Sequence, residues 1–499
     1  MGMLRNLSNY VEGQFIDRGD EKMANKLFRK KSIRDLIETS TKGNTLKKEL
    51  GTFDLTMLGI GAIIGTGIFV LTGAGALTAG PALTLSFIIA GLACFFAALS
   101  YAEFASTVPV SGSVYTFTYT TLGEFIAFII GWDLVLEYLL AVSAVSVGWS
   151  GYFQSLLSGF GINIPTILTA APGALEGTKT FFNLPAFIIV MLITFLLSIG
   201  IKQSKRINNI MVVVKVTVVL IFIAVAVTYV KPENWQPFMP FGFEGVFSAA
   251  ALVFFAFIGF DAIASAAEET KNPKKDLPRG ILLSLLICTI LYVIVTSIMT
   301  GVVPFQQFAG NIDHPISLVL QYSGQNWVAG IIDVGAILGM TTVMLVMLYG
   351  QTRVMFAMSR DGLMPAFFSN IHEKYRTPYK ATWFFGFVAA LFGALIPLDE
   401  LAKLVNIGTL SAFVLISVAV IVLRVKQPDL PRAFRCPAVP LVPGLAILFC
   451  GFLIFQLGQE TFIRFVIWLL ISVGTYFAYL QKNSKGNRIY SSNYKEFIN

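Results

Sequence analysis

Hydrophobic residues in this chain come in long uninterrupted blocks, not with the period of 3.6 that marks a helix resting one face on a soluble core. A helix needs about 20 residues to cross a hydrocarbon layer. Read at that length, the blocks predict spans beginning near residues 53, 82, 122, 185, 208 and 245, and again near 279, 327, 381, 401, 439 and 460. The pattern predicts an all-α membrane protein with twelve transmembrane helices.

The polar intervals between the blocks carry a second signal. Counted from an inside N-terminus, alternate loops hold Lys202, Lys205 and Arg206, then Lys271, Lys274, Lys275 and Arg279, then Arg360, Lys374, Arg376 and Lys380, then Arg424, Lys426, Arg432 and Arg435. The opposite loops hold only Lys179, Lys231, Lys403 and Arg464. This asymmetry predicts a multi-pass protein of the cell inner membrane with both termini in the cytoplasm. The net charge of +8 is therefore a topological signal first and a route to lipid headgroups second. No nucleic-acid partner is needed to explain it.

Composition agrees: 56% of residues are hydrophobic and 13% are charged, which excludes an ordinary water-soluble domain. Cys94, Cys288, Cys436 and Cys450 have no metal or redox spacing, so neither a disulfide nor a metal site is expected. His314 and His372 have no triad or ligand partner at useful spacing, and no phosphate-binding glycine loop is present. A membrane enzyme or a non-transporting sensor is thus a remote reading, and no cofactor is expected. Residues 1–50 hold no apolar core of signal-peptide length. Ile33 to Ile37, with Arg29, Lys30 and Lys31, can lie on the inner leaflet or belong to a solvated tail, and Met23 is a candidate natural start.

Against this apolar background a few positions stand out. The run Gly59-Ile-Gly-Ala-Ile-Ile-Gly65-Thr-Gly67-Ile-Phe69 punctuates the first span with glycines, each about 1 kcal/mol less favourable than alanine in a helix. The sixth span breaks near Ile258 and Gly259, with Asp261 just beyond. Asp133 and Glu137 share one face of the third span, suited to interhelix hydrogen bonds or to a proton path. Lys215 lies deep in the fifth span between β-branched residues. An ammonium there must snorkel, find partners, or give up its proton, and the last option makes it a group that binds and releases a proton during turnover.

The two interrupted spans are five apart, and five is odd, so two five-helix halves would be inverted relative to each other. Interrupted spans at corresponding positions are the best sequence pointer to a carrier's binding site. A helix broken at mid-membrane frees N–H groups where one half begins and carbonyls where the other ends. N–H groups near Thr66, Gly67 and Ile68 suit an α-carboxylate. Carbonyls near Ile63, Phe255, Ala256 and Ile258 suit an α-ammonium. The glycines alone are equally consistent with a small-residue packing face. It is their combination with the sixth span and Lys215 that points to an amino acid.

Thr52-Phe-Asp-Leu, the run from Gly59 to Gly73, Phe255 to Asp261 with Glu268-Glu-Thr-Lys-Asn-Pro273, and Arg353 to Leu363 together resemble the amino acid, polyamine and organocation transporters. The closest resemblance is to a bacterial form of their cationic amino acid transporter branch, and it covers about residues 45 to 480. The resemblance implies a LeuT-type 5+5 inverted repeat plus two C-terminal helices. Its parts would be a cytoplasmic tail over 1–50, repeat one over 51–232, repeat two over 233–426, helices eleven and twelve over 427–481, and a tail over 482–499. It also implies substrate carboxylate on Thr66 and Gly67, an aromatic gate at Phe255, and Lys215 where sodium-coupled relatives hold a sodium ion.

Animal members of the branch carry fourteen spans, so features of their extra helices do not transfer. Met344 and its apolar neighbours favour a small neutral side chain, whereas Asp261, if it faced the pocket, would favour a cationic one. The expectation is proton-coupled uptake of small neutral L-amino acids such as alanine. The alternatives are a carrier of arginine or lysine, an exchanger, or a sodium-coupled carrier. The sequence neither requires nor excludes a small membrane subunit.

Overall fold

The computed structural model describes residues 48–107, 114–175, 179–200, 205–266, 269–309, 313–375, 377–430 and 432–484. Met23, the Ile33 to Ile37 segment and most of the C-terminal tail lie outside the described residues. In a hydrocarbon layer a chain must satisfy its main-chain groups internally, and the apolar blocks do so as helices. In chain order these are α1 (Thr52–Ile63), α2 (Thr66–Phe69), α3 (Leu71–Ala79), α4 (Leu83–Thr107), α5 (Val114–Thr121) and α6 (Glu124–Gly159). Then come α7 (Leu184–Ser198), α8 (Lys205–Ala226), α9 (Gly242–Val253), α10 (Ala262–Ser265), α11 (Pro273–Val302) and α12 (Pro315–Tyr322). The last are α13 (Asn326–Arg360), α14 (Tyr379–Leu395), α15 (Leu398–Lys426), α16 (Leu441–Gln456) and α17 (Gln459–Ser484).

Among the described residues, 7 helical segments are long and apolar enough to cross a membrane, and five more apolar helices run to 10–17 residues. The apolar helices begin near the positions that the hydrophobic blocks indicate. Two short helices, α5 and α12, were not expected, because each is too short to register as a block. No strand forms among the described residues, but one parallel bridge pairs Leu50 with Thr270. Around it the N–H groups of Glu49 and Leu50 donate to the Glu269 carbonyl at 2.9 and 3.0 Å, and the N–H of Lys271 donates to the Leu50 carbonyl at 2.8 Å. The Thr52 hydroxyl adds a 2.6 Å bond to Asp276 at the start of α11. The lead into α1 is thus stitched to the chain between α10 and α11.

The two longest helices, α6 and α13, pack along each other, and α11 lies against α4 and α1. A second set of ties holds the segment after α15. Glu103, near the end of α4 and 2% exposed, accepts Nε and Nη2 of Arg424 at 2.9 and 2.8 Å and the N–H of Cys436 at 2.7 Å. Arg432 lies 3.1 Å from the other Glu103 oxygen. It also donates to the carbonyls of Leu423 and Gln427, and so caps the C-terminal end of α15. Burial beside Glu103 pushes the Cys436 thiol up to about 11.

Candidate functional site

The first interrupted span stops at Ile63. Ile64 is extended and Gly65 takes φ −154° and ψ −144°, after which α2 begins at Thr66. The first main-chain bond of α2 runs from Phe69 N–H to the Gly65 carbonyl at 3.3 Å. The N–H groups of Thr66, Gly67 and Ile68 therefore stand ahead of the ladder, as at any helix start. The Thr66 hydroxyl is buried and has no partner. Tyr152 of α6 donates to the Phe69 carbonyl at 2.6 Å and fixes the far end of α2.

The second interrupted span tightens from α9 into a 3-10 turn over Phe254–Phe257. It then extends at Ile258 and reverses at Gly259, whose φ of +115° favours glycine. The two interruptions cross at contact distance. A Cβ added to Gly67 would fall on the Cα of Ala256, and one added to Gly259 would lie 2.9 Å from the Ala62 carbonyl oxygen. Glycine at these two positions lets one backbone lie on the other.

A broken helix leaves carbonyls that must be accounted for, and three side chains take most of them. Lys215 of α8 is 1% exposed and does not snorkel: its Nζ donates to the carbonyls of Gly61 at 2.7 Å and Ile64 at 3.0 Å. Its stem packs on α13, where a Cβ on Gly339 would come within 3.2 Å of it. The Tyr292 hydroxyl of α11 lies 3.0 Å from both the Ile63 and the Ala256 carbonyl oxygens, one from each interrupted span. Asn406 of α15 donates through Nδ2 to the carbonyls of Ala251 at 2.7 Å and Leu252 at 2.9 Å, at the end of α9. The Phe255 carbonyl accepts the Ile258 N–H at 3.2 Å.

Between the crossing spans and the α6–α13 pair lies a narrow cleft of about 20 Å³, room for about one water. The break contributes Ala62, Ile63, Gly65, Thr66 and Gly67 to its lining, and Ala141, Val145, Phe255, Ile258, Val343 and Met347 complete it. None of these can ionise. Among the expected site residues, Ile63, Thr66, Gly67, Phe255 and Ile258 line this cleft. Ile68 is buried in the core beside it, and Ala256 is the seat of Gly67.

Met344 is fully buried, but it is Val343 and Met347, four residues apart on one face of α13, that form the wall. Asp261 and Glu137 do not line the cleft either, so no charge from them faces it. Glu137 is buried in α6, as is Asp133, whose Oδ1 faces Gly408 of α15. Among the described residues no three His, Cys, Asp or Glu side chains converge as metal ligands. The chemistry on offer is directional hydrogen bonding by main chain and one hydroxyl, inside apolar walls.

Sequence reasoning did not single out Tyr292, Asn406 and Tyr152. A polar side chain inside an apolar block was the available signal, and Asn406 in Leu404-Val-Asn-Ile-Gly was the plainest case.

A family model described as amino acid permease matches residues 50–477. The chain is 75% identical over 466 residues to the branched-chain amino acid permease BcaP of Bacillus subtilis (strain 168), covering 93% of this chain and 100% of that protein. It is 52% identical over 463 residues to the methylthioribose transporter of the same organism, covering 93% and 99%. It is 33% identical over 511 residues to cationic amino acid transporter 9, chloroplastic, of Arabidopsis thaliana, covering 89% of each.

Proposed function

The chain belongs to the amino acid permease family, within the amino acid, polyamine and organocation transporters, and from that premise we propose that it takes up neutral aliphatic L-amino acids together with a proton. The observation that carries the substrate class is the cleft itself, in which main-chain polarity meets walls without an ionisable side chain. An arginine or lysine side chain would find no carboxylate there. Alanine fits the same chemistry at its small end, once the Phe255 gate opens a cleft that in this structure has room for about one water. The similarity to a branched-chain amino acid permease favours leucine, isoleucine and valine at its larger end.

In this reading the α-carboxylate meets the N–H groups of Thr66, Gly67 and Ile68 and the unpartnered Thr66 hydroxyl. Each carbonyl oxygen has two lone pairs. Tyr292 therefore leaves one acceptor site on Ile63 and one on Ala256 for the α-ammonium, with the carbonyls of Phe255 and Ile258 beside them. The Phe255 ring acts as the gate, and Val343 and Met347 meet the side chain. Met344 acts only from behind that wall. Glu137 and Asp261 contribute to gating and not to contact with substrate.

Lys215 is the proton-coupling group. Protonated, it places a full positive charge at the negative end of the α1 dipole, and loss of the proton weakens that hold on Gly61 and Ile64. Binding at the break and proton occupancy are thereby linked.

The architecture in this reading is twelve spans in a LeuT-type 5+5 inverted repeat, residues 51–232 and 233–426, with two further helices over 427–481. The interrupted spans are the first of each half. The protein lies in the cell inner membrane with both termini inside, as the loop charges indicate.

The deciding experiment is uptake of labelled leucine into proteoliposomes, competed by the twenty amino acids and by methylthioribose. Competition led by leucine, isoleucine, valine and alanine is expected. Competition led by arginine or lysine would establish the cationic alternative, and absence of leucine uptake alongside uptake of labelled methylthioribose would remove the amino acid reading.

A further inference from the structure

The lipid-facing side of α14 carries a feature that transport does not use. A groove of about 670 Å³ opens there between the first turns of α14 and the loop that precedes it. Tyr379, Lys380, Trp383, Phe384 and Phe387 line it from α14 at helical spacing, and Phe367 closes it from the loop. Trp383, Phe384, Phe387 and Phe367 are each about half exposed. A ridge of such side chains is ordinary for a membrane face, but here the ridge and Phe367 bound an open groove of this size.

At its mouth stands a cation. The Lys380 ammonium lies 5.2 Å from the Phe367 ring centre and 5.9 Å from that of Tyr379, held over aromatic faces. Among the described residues it makes no ion pair with a carboxylate. The nearby Lys374 likewise rests over the Tyr375 ring, at 5.5 Å. The loop charges put this end of α14 on the cytoplasmic side, where anionic lipid is concentrated.

The geometry points to a specific site for an anionic glycerophospholipid, with one acyl chain in the slot and the phosphate on Lys380. The slot supplies apolar contact along the chain. Trp383 supplies an amphipathic ring at headgroup depth. Lys380 supplies the charge that separates a phosphatidylglycerol from a phosphatidylcholine of identical chains. The site is independent of which amino acid the cleft takes.

The test is native mass spectrometry of the full-length protein offered equal amounts of phosphatidylglycerol and phosphatidylcholine with the same acyl chains. One lysine beside an anionic surface gives a preference on the order of fivefold, and that excess of bound phosphatidylglycerol is expected. Lys380→Glu should abolish it and Lys380→Arg should keep it. Lys380→Gln replaces the Glu variant if that one does not fold. Val388 also lines the groove, and Val388→Trp, which fills the slot and leaves the charge, should lose the bound lipid. Equal retention of the two lipids by the wild type would overturn the site. So would an undiminished excess in Lys380→Glu or in Val388→Trp.

Discussion

The Nζ of Lys215 lies 2.7 Å from the carbonyl oxygen of Gly61, at the point where α1 ends inside the bundle. Its second bond, to Ile64, reaches past the end of the helix. One side chain thereby ties α8 to a helix terminus that has run out of main-chain partners, and its stem packs against Gly339 of α13.

The crossing of the two interrupted spans predicts a sharp difference between two glycines. Gly67→Ala drives its methyl onto the Ala256 main chain, which cannot turn aside. Gly61→Ala meets one methyl of the Val212 side chain at 2.6 Å, a contact with side chain and not with main chain. Overpacking costs about 1–3 kcal/mol, and Gly67→Ala is expected at or above the top of that range, with uptake lost. Gly61→Ala should stay near the bottom. Thermal unfolding and uptake measured on both variants check this, and wild-type uptake by Gly67→Ala would refute the tight crossing.

Tyr292→Phe removes the one hydroxyl that lies between the Ile63 and Ala256 carbonyls. An unsatisfied buried polar group costs about 1–3 kcal/mol, so a lower melting temperature is expected. The shift in melting temperature produced by added leucine should also shrink, because the two halves of the site lose a shared tie. An unchanged leucine shift in Tyr292→Phe would separate this hydroxyl from binding.

Glu103→Gln leaves Arg424 and the 1% exposed Arg432 facing a neutral amide. Breaking a buried pair by removing one partner costs about 3–5 kcal/mol. Arg432 keeps its carbonyl acceptors, so the low end of that range is expected, read as a fall in melting temperature.

The bridge between Leu50 and Thr270 predicts how the ends of the interrupted spans beside it move. Three main-chain bonds and the Thr52 to Asp276 bond join them, so α1 and the start of α11 should travel as one body. A Leu50→Cys, Thr270→Cys pair should cross-link under mild oxidation and still transport, and the native cysteines are all buried. Transport that stops on oxidation and returns on reduction would show instead that α1 swings away alone.

Much of this site was legible because the membrane makes exceptions conspicuous. Lys215 stood among β-branched residues, and glycines in a spanning helix announced the break near Gly65. The partner of each group was not legible. Glu103 is 321 residues from Arg424, and no local pattern reports that distance. Which side of α13 faces the cleft depends on helix phase, so Met344 was singled out where Val343 and Met347 form the wall. Nothing local in the apolar block around Tyr292 reports the two carbonyls that its hydroxyl meets. The short helices α5 and α12 bury too little to leave a hydrophobic block.

Coupling of proton movement through Lys215 to an amino acid held at the break is read from accumulation of labelled leucine in sodium-free proteoliposomes under an imposed inward proton gradient, for the wild type and Lys215→Ala. The wild type should concentrate leucine, while Lys215→Ala should fail to concentrate it yet still exchange leucine for leucine loaded inside. Gradient-driven accumulation by Lys215→Ala at the wild-type level would rule out Lys215 as the coupling group.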